Sequence, residues 1–169
     1  MPKVIMSCGK ICSGKSTYAQ KMRMKYNAVI LSVDEMTLAL FGNDIGEKHD
    51  EYVEKTETYL FEKSVEIVET GINVVLDWGL WTKAEREYAR DFYRKHNIPC
   101  EIHYLDIPDD EWNRRIQKRN ADISSGKTKA YFVDEGLADK ARQLFERPEE
   151  KEIDVYAGSD RVGSIRYCL

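Results

Sequence analysis

Between the apolar run Lys3 to Ser7 (KVIMS) and a helical pattern beginning at Lys15 stands Gly9-Lys10-Ile11-Cys12-Ser13-Gly14-Lys15-Ser16. The stretch fits G-x-x-x-x-G-K-[ST] and constrains the chain more tightly than any other. A strand that runs into a glycine loop and re-emerges as a helix brings many main-chain N–H groups to one small volume. The free N–H groups and dipole of the helix start add to them. Glycine permits both the φ angles and the close approach of such a loop. The ligand that calls for so many converging donors is a polyphosphate. Gly9, Lys10, Cys12, Ser13, Gly14, Lys15, Ser16 and Thr17 are therefore the candidate nucleotide-binding residues. In this pattern Lys15 reaches the β- and γ-phosphates and the Ser16 hydroxyl ligates Mg²⁺.

The rest of the chain alternates strand-like and helical segments, with no repeat and no low-complexity linker. Lys15 to Tyr26 reads as a helix burying Tyr18, Ala19, Met22 and Tyr26. Ala28 to Val33 reads as a strand and Asp34 to Phe41 as a short helix broken by "GNDIG". From His49 to Thr70, a face of Tyr52, Val53, Thr56, Tyr59, Leu60, Ser64, Ile67 and Val68 has helical spacing, and Gly71 stands where a C-terminal cap belongs. Val74 to Leu76 is a strand core ending at Asp77; Thr82 and Glu85 form a capping box for a helix through His96. Glu101 to Leu105 is the next strand. Pro108 with Asp109, Asp110 and Glu111 starts a helix to about Arg119. Residues 120–133 read as a loop, Asp134 caps a helix to Glu146, and Ile153 to Tyr156 is a last strand. Such alternation predicts one α/β domain with an open, mostly parallel sheet covered by helices on both faces, which binds ligands beyond the carboxyl ends of its strands.

Composition narrows the function classes. The 169 residues suffice for one domain with its own core. A formal charge of −4 argues against a sequence-independent nucleic-acid coat. No run approaches the ~20 apolar residues of a membrane span, and the first residues lack a secretory pattern, so the expected location is the cytoplasm. Cys8, Cys12, Cys100 and Cys168 lack zinc-site spacing and are expected as reduced thiols. His49, His96 and His103 are scattered. Cys12, beside a helix start, is either a small loop residue or a thiol of depressed pKa.

Acids and arginines at the strand ends complete the candidate site. Asp34 follows the second strand and could orient an acceptor hydroxyl and take its proton, or simply cap the helix it precedes. Asp77 ends an apolar run of Walker-B type and could hold a metal-bound water or the acceptor, or be a turn residue. Trp78 and Trp81 flank Gly79 and either wall an acceptor pocket or pack the core. Arg115 and Arg119 share a helix face. They could meet the charge of a transferring phosphoryl group, or form a solvated face paired with Glu111 and Asp110, while Arg114 points elsewhere. Lys127 and Lys129 around Gly126 suit a closing loop.

Together "CGKICSGKST", "VDEM", "VVLDWGLW" and "RRIQKRN" resemble the small P-loop kinases of the nucleoside-monophosphate-kinase-like group. Within it they look most like predicted kinases labelled AAA-type ATP-binding proteins, and more distantly like chloramphenicol phosphotransferase, zeta toxin and polynucleotide kinase. The resemblance spans about residues 3 to 157. It implies a three-layer P-loop NTPase fold with a five-stranded sheet of order 2-3-1-4-5 and a lid at about 120–133. It also implies ATP and Mg²⁺, an acceptor-binding aspartate at Asp34, and lid arginines at Arg119 first and Arg115 second. Polynucleotide kinases place Arg three residues after that aspartate, where this chain has Thr37, so a nucleic-acid acceptor is not expected. The expected activity is phosphoryl transfer from ATP to a small hydroxyl-bearing acceptor. The alternative is a regulatory nucleotide-binding module, for which no base-reading N-K-x-D motif is present.

Overall fold

A computed structural model describes residues 1–42, 46–128 and 130–158, and the backbone of 166–167. Most of the "GNDIG" break, Lys129 and Cys168 lie outside the described residues. The elements are β1 (Val4–Cys8), α1 (Lys15–Tyr26), β2 (Ala28–Ser32), α2 (Val33–Phe41), α3 (His49–Glu69), β3 (Asn73–Asp77), α4 (Lys83–Lys95), β4 (Cys100–Tyr104), α5 (Asp109–Ser124), α6 (Glu135–Leu144), β5 (Val155–Tyr156) and β6 (Arg166–Tyr167).

The sheet runs β2-β3-β1-β4-β5-β6. The first five strands are parallel in the expected order, and β6 adds an antiparallel edge pair that the sequence did not announce. β1 lies at the centre, with Val4 opposite Val74 of β3 and Cys100 of β4. It is buried along its whole length, which is why it reads as an unbroken apolar run. Strand pleating splits its side chains between two cores. Val4, Met6 and Cys8 join Leu60, Phe61, Ala89 and Tyr93 of α3 and α4 on one face; Ile5 joins Ala19 and Met22 of α1 on the other. These are the three expected layers. A third cluster, built on Trp112, Val133, Ala138 and Ala141, packs α5 and α6 beneath the glycine loop.

Several local signals act as read. The Thr82–Glu85 capping box forms, and Asp134 caps α6 through the Leu137 amide. On α3 the buried stripe takes Phe61, at 5% exposure, in place of Tyr59, at 49%. Helix α5 continues through Ser124, so the expected loop of 120–133 begins five residues late. The cause is Asn120, whose side-chain amide donates to the Val133 carbonyl (2.7 Å) and accepts from its N–H (3.0 Å). This pairing ties the helix interior to the chain returning toward α6, so no loop is needed to carry the polar residues.

Behind the β3–α4 turn, the buried guanidinium of Arg86 pairs with Glu152 at 3.1 Å. It also donates to the carbonyls of Leu80, Trp81 and Glu146. Arg86→Leu strands Glu152 without its cation and is expected to cost about 3–5 kcal/mol, read as a fall in the urea midpoint.

Candidate active site

The carboxyl ends of β1, β2 and β3 open into a cleft of about 950 Å³. On its floor, α1 starts from Gly14 in the left-handed region (φ 99°), with no side chain capping the helix. The N–H groups of the first turn thus face the cleft uncapped. Gly9 is required by proximity: a Cβ there would stand 2.8 Å from the Leu105 carbonyl oxygen and 2.7 Å from Ser13 Oγ. The buried Ser13 hydroxyl has no partner among the described residues. The Lys15 ammonium folds across the loop, donating to the carbonyls of Gly9 (3.0 Å) and Lys10 (2.8 Å). Desolvation draws it below the usual lysine range, against the pull of Asp77 and Asp34. An uncapped helix start, a cradle too tight for side chains and a centred ammonium are the donor set a polyphosphate fits.

The outward members of the motif serve the loop differently. Lys10 turns its side chain away to Asp109 (2.8 Å), so its contribution is main-chain. Cys12, with φ 60°, is held by the left-handed turn it makes. Burial raises its thiol above the ordinary range, outweighing Arg119, so the depressed-pKa alternative fails. Trp112 anchors the loop from below, its Nε1 donating to the Ile11 carbonyl at 2.6 Å.

Asp77 stands at the end of β3, where burial raises its carboxyl while a hydrogen bond from Ser16 and the charge of Lys15 oppose the rise. Ser16 and Asp77 thus lie together at the mouth of the loop and could hold a metal ion. Asp34 sits exposed in the first turn of α2 and lines the cleft. Helix α2 is capped by Ser32, which accepts from the Glu35 amide, so the capping alternative for Asp34 fails. Trp78 and Trp81 both line the cleft, and both also pack: Trp78 meets Phe61 edge-on, and Trp81 lies against the α5–α6 cluster.

Arg115 and Arg119 both turn toward the glycine loop. Arg115 donates to the Ser13 carbonyl (2.7 Å) and to Glu111 (2.6 Å). Arg119 donates to the Tyr131 carbonyl (3.1 Å) and approaches Cys12 Sγ (3.9 Å). Arg114 points outward to Asp110 and Glu111, as expected. Tyr131 lies over the cleft, its hydroxyl 3.1 Å from that of Thr37 and its ring edge-on to His49.

Sequence reasoning missed Glu57. It lines the cleft from α3, one helical row with Val53 and with His49 and Asp50 at the mouth. Burial first, then the charges of Glu85, Glu54 and Asp34, push its carboxyl up to about 7. The folded protein thus keeps a proton that the unfolded chain releases near 4.5, so stability falls as pH rises across that window. Glu57→Gln is expected to melt above the parent at about pH 8, by on the order of 1–3 kcal/mol, and to match it at about pH 4, where both side chains are neutral.

A parallel sheet with a glycine loop between β1 and α1, a lysine and serine at its end and an acid on the adjacent strand defines a P-loop nucleotide-binding protein. The chain belongs to the AAA domain family, whose profile matches residues 4–148. Its fold is similar to that of the Mycobacterium tuberculosis APS kinase solved with AMPPNP and APS (TM-score 0.67, 21% identity, covering 95% of this chain and 90% of that one). A sugar kinase from Janibacter sp. HTCC2649 is also similar (TM-score 0.65, 16% identity, 94% and 86%), as is a gluconokinase from Sinorhizobium meliloti 1021 (TM-score 0.65, 13% identity, 95% and 84%). At these identities the likeness is one of fold. No curated protein sequence matches the chain. Among the described residues no helix is long and apolar enough to cross a membrane.

Proposed function

We propose that this protein is an ATP-dependent phosphotransferase acting on a hydroxyl of a small molecule. The observation that carries the reading is the convergence, in one cleft, of the Lys15–Ser16 phosphate cradle with Asp77, Arg115, Arg119 and an Asp34 that no capping duty explains. The fold neighbours solved as kinases support it. Loop amides and Lys15 hold the triphosphate. Ser16 and Asp77 would hold a Mg²⁺ ion, which would neutralise charge on the phosphates. Asp34 orients the acceptor hydroxyl and receives its proton as the oxygen bonds to the γ-phosphorus. The bond to the β–γ bridging oxygen breaks with its electron pair, leaving ADP. Arg119 meets the charge on the transferring group, Arg115 steadies the glycine loop beside it through the Ser13 carbonyl, and the chain that follows α5 serves as the lid.

The test is a screen of hydroxyl-bearing acceptors with γ-labelled ATP, beside thermal shifts with Mg²⁺-ATP and Mg²⁺-GTP. Label transfer to a small molecule and an ATP-induced rise in melting temperature are expected. Lys15→Ala is expected to lose that rise together with transfer. Binding with slow hydrolysis and no acceptor across the screen would replace this reading with the regulatory module.

A further inference from the structure

The two ends of the cleft differ in charge. Around the glycine loop stand Lys15, Arg115 and Arg119, which the nucleotide phosphates neutralise. Toward α2, α3 and α4 the cleft is lined by the carboxylates of Asp34, Glu57 and Glu85; the charges of Glu85, of Glu54 on its own helix and of Asp34 bear on Glu57, and Lys140 of α6 also lines the cleft, beside Asp50. Their situations are unequal. Glu85 is occupied, accepting from the amides of Trp81 and Thr82. Asp50, farther out, has Lys140 of α6 at 3.7 Å and His49 at 3.3 Å. Glu57, half-buried in the cleft wall, has no cation or hydrogen-bond donor among the described residues. Indole and phenol rings, those of Trp78 and Tyr131, line the same space.

A carboxylate that is partly shielded from water, crowded by other acids and without a partner is costly, and a cation arriving beside it reduces that cost. Aromatic faces add to the attraction of a cation in a partly dry site. An anionic acceptor meets repulsion from Glu57, Asp34 and Glu85 together. A neutral polyol can hydrogen-bond but leaves the charge uncompensated. Resting on the phosphotransferase reading, we propose that the acceptor is a hydroxy compound carrying a protonated amine, with Glu57 binding the ammonium group while Asp34 takes the hydroxyl proton. The transfer step is the one given above: oxygen to γ-phosphorus, electron pair to ADP, proton to Asp34.

Matched acceptors isolate the charge. Label transfer from γ-labelled ATP is measured for hexosamine, hexose and hexuronate, for amino alcohol, diol and hydroxy acid, and for aminocyclitol, cyclitol and cyclitol carboxylate. Within each set that turns over, the amine is expected to exceed the neutral member in kcat/KM by about tenfold or more. The acidic member is expected to be the poorest. Glu57→Gln is expected to bring amine and neutral member to within about threefold of each other, and Glu57→Asp to keep part of the preference. The KM for the amine is expected to fall as pH rises from about 6 to about 8, since Glu57 gives up its proton across that window. Preference for neutral or acidic members, or a preference for amines that Glu57→Gln leaves intact, overturns the inference while the phosphotransferase reading stands. Transfer to no member, with ATP still bound, overturns both.

Discussion

Asp34→Asn is expected to bind ATP as the parent does and to transfer phosphate about 10²–10⁴ times more slowly, the usual contribution of a positioned general base. The substitution is informative because of what Asp34 does not do. Ser32 caps α2, so an asparagine at 34 removes no cap. The side chain is exposed in the first helical turn and opens on the cleft, so no packing is lost. Its remaining role is electrostatic, toward Lys15 and Asp77 within the site. Single-turnover measurements with an identified acceptor, beside calorimetric titration with ATP, separate transfer from binding. Full turnover in the variant would remove Asp34 as the base and leave the acceptor proton to solvent or to the phosphate itself.

Arg119→Ala is expected to lower kcat by about a thousandfold or more, in the range found for arginines that contact a transferring phosphoryl group. Arg115→Ala is expected to act mainly on nucleotide affinity. The distinction follows from their partners. Arg115 is neutralised by Glu111 and braces Ser13 of the glycine loop. Among the described residues Arg119 has a carbonyl and a thiol as partners, both uncharged, which would leave its charge available to phosphoryl oxygens. Lysine at 119 keeps the charge without the planar fork and is expected to recover only part of the rate. Equal losses of kcat in the two alanine variants would dissolve the division of labour.

The shape of the glycine loop was legible in the sequence because it is encoded locally. A strand, a glycine turn and a helix start within fourteen residues or so leave the main chain few alternatives. Asp77 was legible for the same reason, as the acid at the end of a buried strand. The roles that depend on distant neighbours were not. Nothing near Asp34 in the sequence says whether it caps α2; Ser32 takes that bond in the fold. Asn120 reads as a polar breaker until Val133 returns to pair with it. Glu57 reads as one more acid on an amphipathic helix, and only the packing of α2 and α4 against α3 collects the other carboxylates around it. Strand β6 is two residues long, and its pairing with β5 carries no periodic signal.

All three tryptophans of the chain sit in the wall of this one cleft or directly beneath its glycine loop. Trp78 and Trp81 form part of its wall, and the indole N–H of Trp112 holds the main chain of the glycine loop at Ile11. Excited at wavelengths that only indoles absorb, the protein's emission therefore originates at the proposed site. Occupancy can be followed label-free, and versions retaining a single indole would divide the signal between nucleotide and acceptor.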